Sequence, residues 1–101
     1  MDDTSVPYVD DDGLLRVGDD WVAITDAQLP VVTLLVERFG RLVGKEELVA
    51  AYVAAGYSGH AASIRSLLAR VAHRVAGLGL DLHTVRGQGV MLRDRGRPRV
   101  R

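Results

Sequence analysis

The chain opens on polar and acidic residues, broken by one short apolar cluster, VPYV, that fits a brief strand. The first sustained pattern is LLRVGDDWVAI. Two short apolar runs flank Gly18, Asp19 and Asp20, which predicts a hairpin. The period then changes. In DAQLPVVTLLVERFG, Leu29, Val32, Leu35, Val36 and Phe39 recur at helical spacing. Thr25 and Gln28 have the spacing of a capping box, and Asp26 suits the positive end of a helix. Pro30 falls one residue beyond the positions that tolerate proline freely, which costs one backbone hydrogen bond. Gly40 ends the helix. After the short RLV, GKEELVAAYVAAG predicts a second helix, with Leu48, Val49, Tyr52 and Val53 inward and Gly56 as its stop. YSGH is a loop, and AASIRSLLARVAHRVAGLG predicts a third helix. LDLHTVRGQGVML then predicts two strands around a turn that contains Gly87 and Gly89. The final RDRGRPRVR has no apolar period.

The predicted order is strand, strand, helix, helix, helix, strand, strand. Three helices closed by a hairpin form an α+β fold, a winged helix-turn-helix with N-terminal β-strands, a three-helix core and a C-terminal β-hairpin wing. The expected boundaries are 1–12 for an acidic, flexible N-terminus, 13–93 for the winged-helix domain and 94–101 for a basic, disordered tail. A chain of 101 residues suffices for one compact domain. It shows no internal repeat.

Charge divides the chain, although the net formal charge is zero. Residues 1–20 carry seven Asp and one Arg, whereas residues 60–101 carry nine Arg against Asp81 and Asp94. Such asymmetry suggests a polyanion partner at the basic end. Lys45 is the sole lysine; with abundant Ala, Gly and Val, this fits a GC-rich bacterial source. The absence of cysteine excludes disulfides and thiolate metal sites. No apolar run reaches the length of a membrane span, and the acidic N-terminus lacks the order of a signal peptide. A cytoplasmic, nucleoid-associated protein with no membrane partner is expected.

The third helix carries the most chemistry. Ile64, Leu68, Val71 and Val75 fall in a narrow stripe that must face a core. Ala62, Ser66, Ala69, Arg70 and His73 lie opposite, with Ser63 near Arg70 and with Arg65 and Arg74 on the two flanks. The helix contains no acid. Small residues permit close approach to DNA. Arg70 can reach guanine edges or phosphate, and Ser63 and Ser66 can bond phosphates or bases. A hairpin that follows such a helix reaches the adjacent minor groove, whose negative potential draws arginine. In TVRGQGV, Gly87 and Gly89 permit a tight tip and close approach to phosphates. Arg86 is then the inserted cation and Gln88 a phosphate or base-edge contact.

Three stretches carry a family resemblance over roughly residues 14–93. ITDAQLPVVTLLVERFGRLVGKEEL is similar to the first two helices of the OmpR/PhoB-type winged-helix family, the C-terminal effector domains of response regulators. Gln28 stands at that family's glutamate position and Gly44 at its usual serine cap. SIRSLLARVAHRV resembles the recognition helix, and HTVRGQGVML resembles the TVRG-x-GY-x-L wing, with Val90 at the tyrosine position. The resemblance implies a third helix in the major groove and a wing arginine in the minor groove of double-stranded DNA. It implies copies on direct-repeat half-sites, with a homodimer that would form through the domain, through a partner or only on DNA. It also implies an RNA polymerase contact from the loop GYSGH. Carried over by position, Ser63, Ser66, Arg70, His73 and Arg74 face DNA from the helix, and Arg86 from the wing. No receiver domain precedes the fold, so phosphorelay control within this chain is not expected.

The alternative function is a protein-interaction winged helix that binds RNA polymerase or a partner regulator; Leu67, Ala69 and Ala72 on the third helix favour it. Catalysis is not expected. His60, His73 and His83 are spaced unlike a metal site. Glu46 and Glu47 suit a helix dipole, and GQGVML lacks the context of a phosphate loop. No metal and no cofactor are expected.

Overall fold

The computed structural model describes residues 6–95. The expectations for residues 1–5 and 96–101, including most of the basic tail, lie outside the described residues. The element order is β1 (Tyr8–Val9), β2 (Leu14–Val17), β3 (Asp20–Ala23), α1 (Leu29–Glu37), β4 (Leu42–Gly44), α2 (Lys45–Ala54), α3 (Ala61–Ala76), β5 (Leu80–Val85) and β6 (Gly89–Asp94). The strands form two antiparallel sheets, ordered β1-β2-β3 and β4-β6-β5. The expected α+β order is therefore present, with β1 and β4 added to the sheets.

In the N-terminal sheet, Val17 faces Asp20 across a two-residue turn whose Gly18 has φ +58°. Alternation puts Leu15 and Val17 into the core. Asp10 organises the entry to β2. Its Oδ1 accepts the Asp12 and Leu14 amides at 2.9 and 3.0 Å, and its Oδ2 accepts Arg16 Nε at 2.5 Å. Tyr8 and Val9 pair with Arg16 and Leu15. The brief strand expected at VPYV is therefore present as β1, and the Asp10 bonds order the turn that follows it.

The Thr25–Gln28 capping box forms. Thr25 N donates to Gln28 Oε1 and Gln28 N donates to Thr25 Oγ1, both at 3.2 Å. It closes a turn ahead of α1, and the helix itself begins at Leu29. Pro30 therefore sits in the first helical turn, where an amide has no intrahelical partner, and the expected loss of a hydrogen bond does not occur. α1 touches β1, α2 and β6. So broad a cover buries Val31, Val32 and Leu35 and leaves Val36 and Phe39 partly buried.

α2 starts at Gly44, which has no side chain to cap it. Glu47 Oε2 instead accepts the Gly44 amide at 3.1 Å, and Glu47 Oε1 meets Arg38 Nη1 at 2.6 Å. Leu48 and Tyr52 are buried and Val49 is partly buried. Val53, expected inward, is 49% exposed. It lies a quarter turn past Tyr52, on a flank met by Gly59: a Cβ at Gly59 would stand 2.9 Å from Val53 Cγ2. The Tyr57 ring stacks on Tyr52 with centroids 4.9 Å apart, which folds the α2–α3 loop against the core.

α3 corrects the predicted stripe. Ile64, Leu67, Val71 and Val75 are buried, and Leu68 is only partly so. Both leucines flank the stripe, and the fold decides between them. Leu67 turns toward Tyr52, while Leu68 borders the wing. Leu67 is thus core and gives no support to a surface for protein partners.

The wing sheet packs on α3 through β5. Val90 faces Val43 and is buried, as the wing-tyrosine position required of it. Val85 pairs with Gly89, leaving Arg86, Gly87 and Gln88 as the tip. Gln88 N donates to Val85 O at 2.9 Å, and Gly87 takes φ +73° at the third position of that turn. Gly89 has another role. It is buried at φ +154°, and a Cβ there would lie 2.1 Å from Val43 O. Its close approach is to β4, where approach to phosphate was expected. Gly89→Ala should therefore lower stability by about 3 kcal/mol, because the obstacle is backbone that cannot step aside. Gly87→Ala meets open space and should cost only about 1 kcal/mol for its positive φ. Denaturant midpoints of the two variants check the difference.

Candidate nucleic-acid interface

α3 has 16 residues, about 24 Å of helix, enough to lie along a major groove. Its N-terminus follows His60, which makes no side-chain cap, and its first turn holds no acid. The positive end of the dipole is thus open to an anion, while His73 and Arg74 complement the negative end.

A groove runs along one flank of α3. Val22, Thr25, Ala27, Gln28 and Tyr52 form its far wall, and Ser63, Ser66, Arg70, His73 and Arg74 all line it from the helix. The five helix residues selected from sequence therefore share one surface. Arg74 is partly committed: its Nη1 donates to Ala23 O at 2.8 Å and ties α3 to the end of β3. Arginine has five N–H donors, so the bond fixes the guanidinium without exhausting it. Gln28, buried in the capping box, sets the wall and adds no free contact.

The wing lies on the other flank. Arg86 borders a second cleft, together with Lys45 from the start of α2 and Arg65 from α3. Gln88 is exposed at the tip, beyond that cleft. Arg86 and Gln88 are thus separated from Ser63, Ser66, Arg70, His73 and Arg74 by the ridge of α3, which carries Ala62 and Ala69. Arg65 and Lys45 were not selected from sequence. Arg65 had been placed on a flank, and the signal available was that the hairpin following α3 must pack beside one flank or the other. Nothing in the sequence brings Lys45 to that flank, because β4 alone sets the start of α2 beside the wing.

Ion pairs sort the cations. Asp10 holds Arg16, Glu47 holds Arg38 at 2.6 Å and Asp81 holds Arg93 at 2.9 Å. Lys45, Arg65, Arg70 and Arg86 make no ion pair among the described residues. Lys45, Arg65, Arg70 and Arg86 are thus available to an external anion.

No family model and no curated protein matches the sequence. Solved structures match its fold. The C-terminal domain of the nisin resistance regulator NsrR, a lantibiotic response regulator, superposes with a TM-score of 0.75 at 22% identity, covering 89% of this chain and 93% of that one. The DNA-binding domain of the response regulator AdeR, in complex with an intercistronic region, gives 0.69 at 14% identity, over 90% and 96%. The Klebsiella pneumoniae RstA DNA-binding domain, in complex with the RstA box, gives 0.67 at 17% identity, over 87% and 91%. The fold is that of a response-regulator winged-helix domain. Within this winged helix the α2–α3 pair is the helix-turn-helix and the β5–β6 hairpin is the wing.

Asp10 and Glu47 carry the lowered carboxyl pKa values among the described residues. The Arg16 hydrogen bond, then the Leu14 amide, lowers the Asp10 carboxyl below its ordinary value. The Gly44 amide, then Arg38, does the same for Glu47. A carboxylate whose folded pKa is depressed stabilises fully above its unfolded pKa, about 4, and loses that contribution as pH falls through the folded value. Asp10→Asn with Glu47→Gln should therefore lower stability at neutral pH and flatten its decline in acid. Denaturant midpoints between about pH 7 and about pH 3 measure both effects.

Proposed function

We propose that the protein is a DNA-binding transcriptional regulator. α3 enters the major groove, with Arg70 on base edges and Ser63, Ser66, His73 and Arg74 on backbone or bases. The wing carries Arg86 into the neighbouring minor groove, with Gln88 beside it. The observation that carries this reading is the row of unpaired cations on both flanks of α3, unopposed by any carboxylate lining either groove. Two of the structural neighbours are described in complex with DNA.

Arg65 and Lys45 extend the reading. They stand between α3 and the wing, where the strand joining the major and minor grooves would pass, and serve phosphates without reading sequence. A second copy binds the adjacent direct repeat, and the dimer forms on DNA. The exposed loop 55–60, braced by the Tyr52–Tyr57 stack, is the surface offered to RNA polymerase. The protein works at the nucleoid; no helix among the described residues is long and apolar enough to cross a membrane.

Fluorescence anisotropy with genomic duplexes selected by pull-down tests the reading at low and physiological salt. Affinity should fall steeply with salt, with a slope of about −0.9 per phosphate neutralised. Arg65→Ala should weaken all sequences alike and reduce the slope by about 1. Arg70→Ala should instead lose about 1–3 kcal/mol of discrimination at one base position. Arg86→Ala should weaken binding at the minor-groove position. No retention on DNA at low salt, with salt-insensitive self-association, would favour a protein partner instead.

A further inference from the structure

The cleft between α3 and the wing is built for more than a DNA backbone. Its volume is about 840 Å³, within the range of small-molecule sites. Its floor is apolar, with Leu48, Ile64, Leu68 and Leu82 among its lining, and Leu68 and Leu82 are only partly buried. Its cations are Lys45, Arg65 and Arg86, each without an ion pair among the described residues. No carboxylate lines it. Ala72 and Ala69, on the helix wall, leave open the space that longer side chains would fill.

A sugar-phosphate strand satisfies the cations but not the floor. Its charged phosphates dominate, and its deoxyribose rings offer little apolar surface to Leu68 and Leu82. Water on that floor finds few hydrogen-bond partners. A ligand that fits both parts has an apolar body and one anionic end. We infer that the cleft binds an amphipathic organic anion, a medium-chain carboxylate, with its chain on the leucine floor and its head group among Lys45, Arg65 and Arg86. The head group takes cations that DNA also needs, so the bound anion and DNA exclude one another. That exclusion rests on the DNA-binding reading; the site itself does not.

The test uses the full chain, with anilinonaphthalene sulfonate as a fluorescent probe and decanoate, kept below its micelle threshold, as competitor. Probe binding should saturate at one equivalent and decanoate should displace it. Decanol, of equal length but neutral, should compete about tenfold more weakly. Arg65→Gln should weaken decanoate about tenfold, since it removes one charged partner. Leu68→Gln, which sets an amide on the floor, should weaken decanoate and decanol together. Arg65→Gln changes an exposed side chain and leaves folding intact, so it decides the matter even if Leu68→Gln does not fold. Failure to saturate, equal competition by decanol and decanoate, or wild-type titration by Arg65→Gln would overturn the site. Anisotropy with a DNA fragment separates the two readings. Decanoate should raise the apparent Kd for DNA. DNA binding with no saturable decanoate titration sinks the ligand site alone, whereas a saturable titration with no DNA binding sinks the DNA reading alone.

Discussion

β6 pairs with β4 at Gly89 with no room for a side chain, and the position of the wing beside α2 follows from that contact. A Cβ would enter the Val43 carbonyl. With only hydrogen there, Gly89 pairs with Gly44 and Val90 with Val43, and the wing hairpin becomes part of a three-stranded sheet. β4 leads directly into α2 at Gly44, so the same contact fixes the wing to the helix-turn-helix. Arg86, three residues before Gly89 at the hairpin tip, then lines the same cleft as Arg65 and Lys45. An isolated hairpin is marginal in water and would not hold its tip in one place. The third strand makes it a fixed arm.

The charges complete what the backbone begins. Three acidic residues are spent within the scaffold. Asp10 closes the turn before β2, and Glu47 caps α2 and ties it to the end of α1 through Arg38. Asp81 holds Arg93 across the wing. α3 and the wing tip are left with cations and no acid. A chain of zero net charge thereby presents a cationic face, since sign is sorted by place and not by total.

Much of this was legible in the sequence because periodicity survives in a small domain. The change from paired apolar runs to helical spacing located β2, β3 and α1. The box at Thr25 and Gln28 was readable because it is local, with both bonds inside four residues. Helix geometry put Ser66, Arg70 and His73 on one face with Ser63 beside them and Arg74 on a flank, and one groove holds all five. What was not legible depends on contacts distant in the chain. Leu67 and Leu68 are chemically identical neighbours on either side of the stripe; only the packing of Tyr52 on one flank and the wing on the other decides which is buried. The role of Gly89 needed β4, whose three residues give no periodic signal. Lys45 gained its neighbours from the same strand, and the bond from Arg74 to Ala23 joins residues 51 apart in the chain.

We propose that the two flanks of α3 serve two adjacent grooves, the major groove through Arg70 and the minor groove through Arg86. Methylation interference on a bound duplex examines both at once. The account predicts that methyl groups at guanine N7 in the major groove and at adenine N3 in the next minor groove both block binding, and that Arg86→Ala removes only the minor-groove interference. Interference confined to phosphates, or lost from both grooves together in Arg86→Ala, would contradict it.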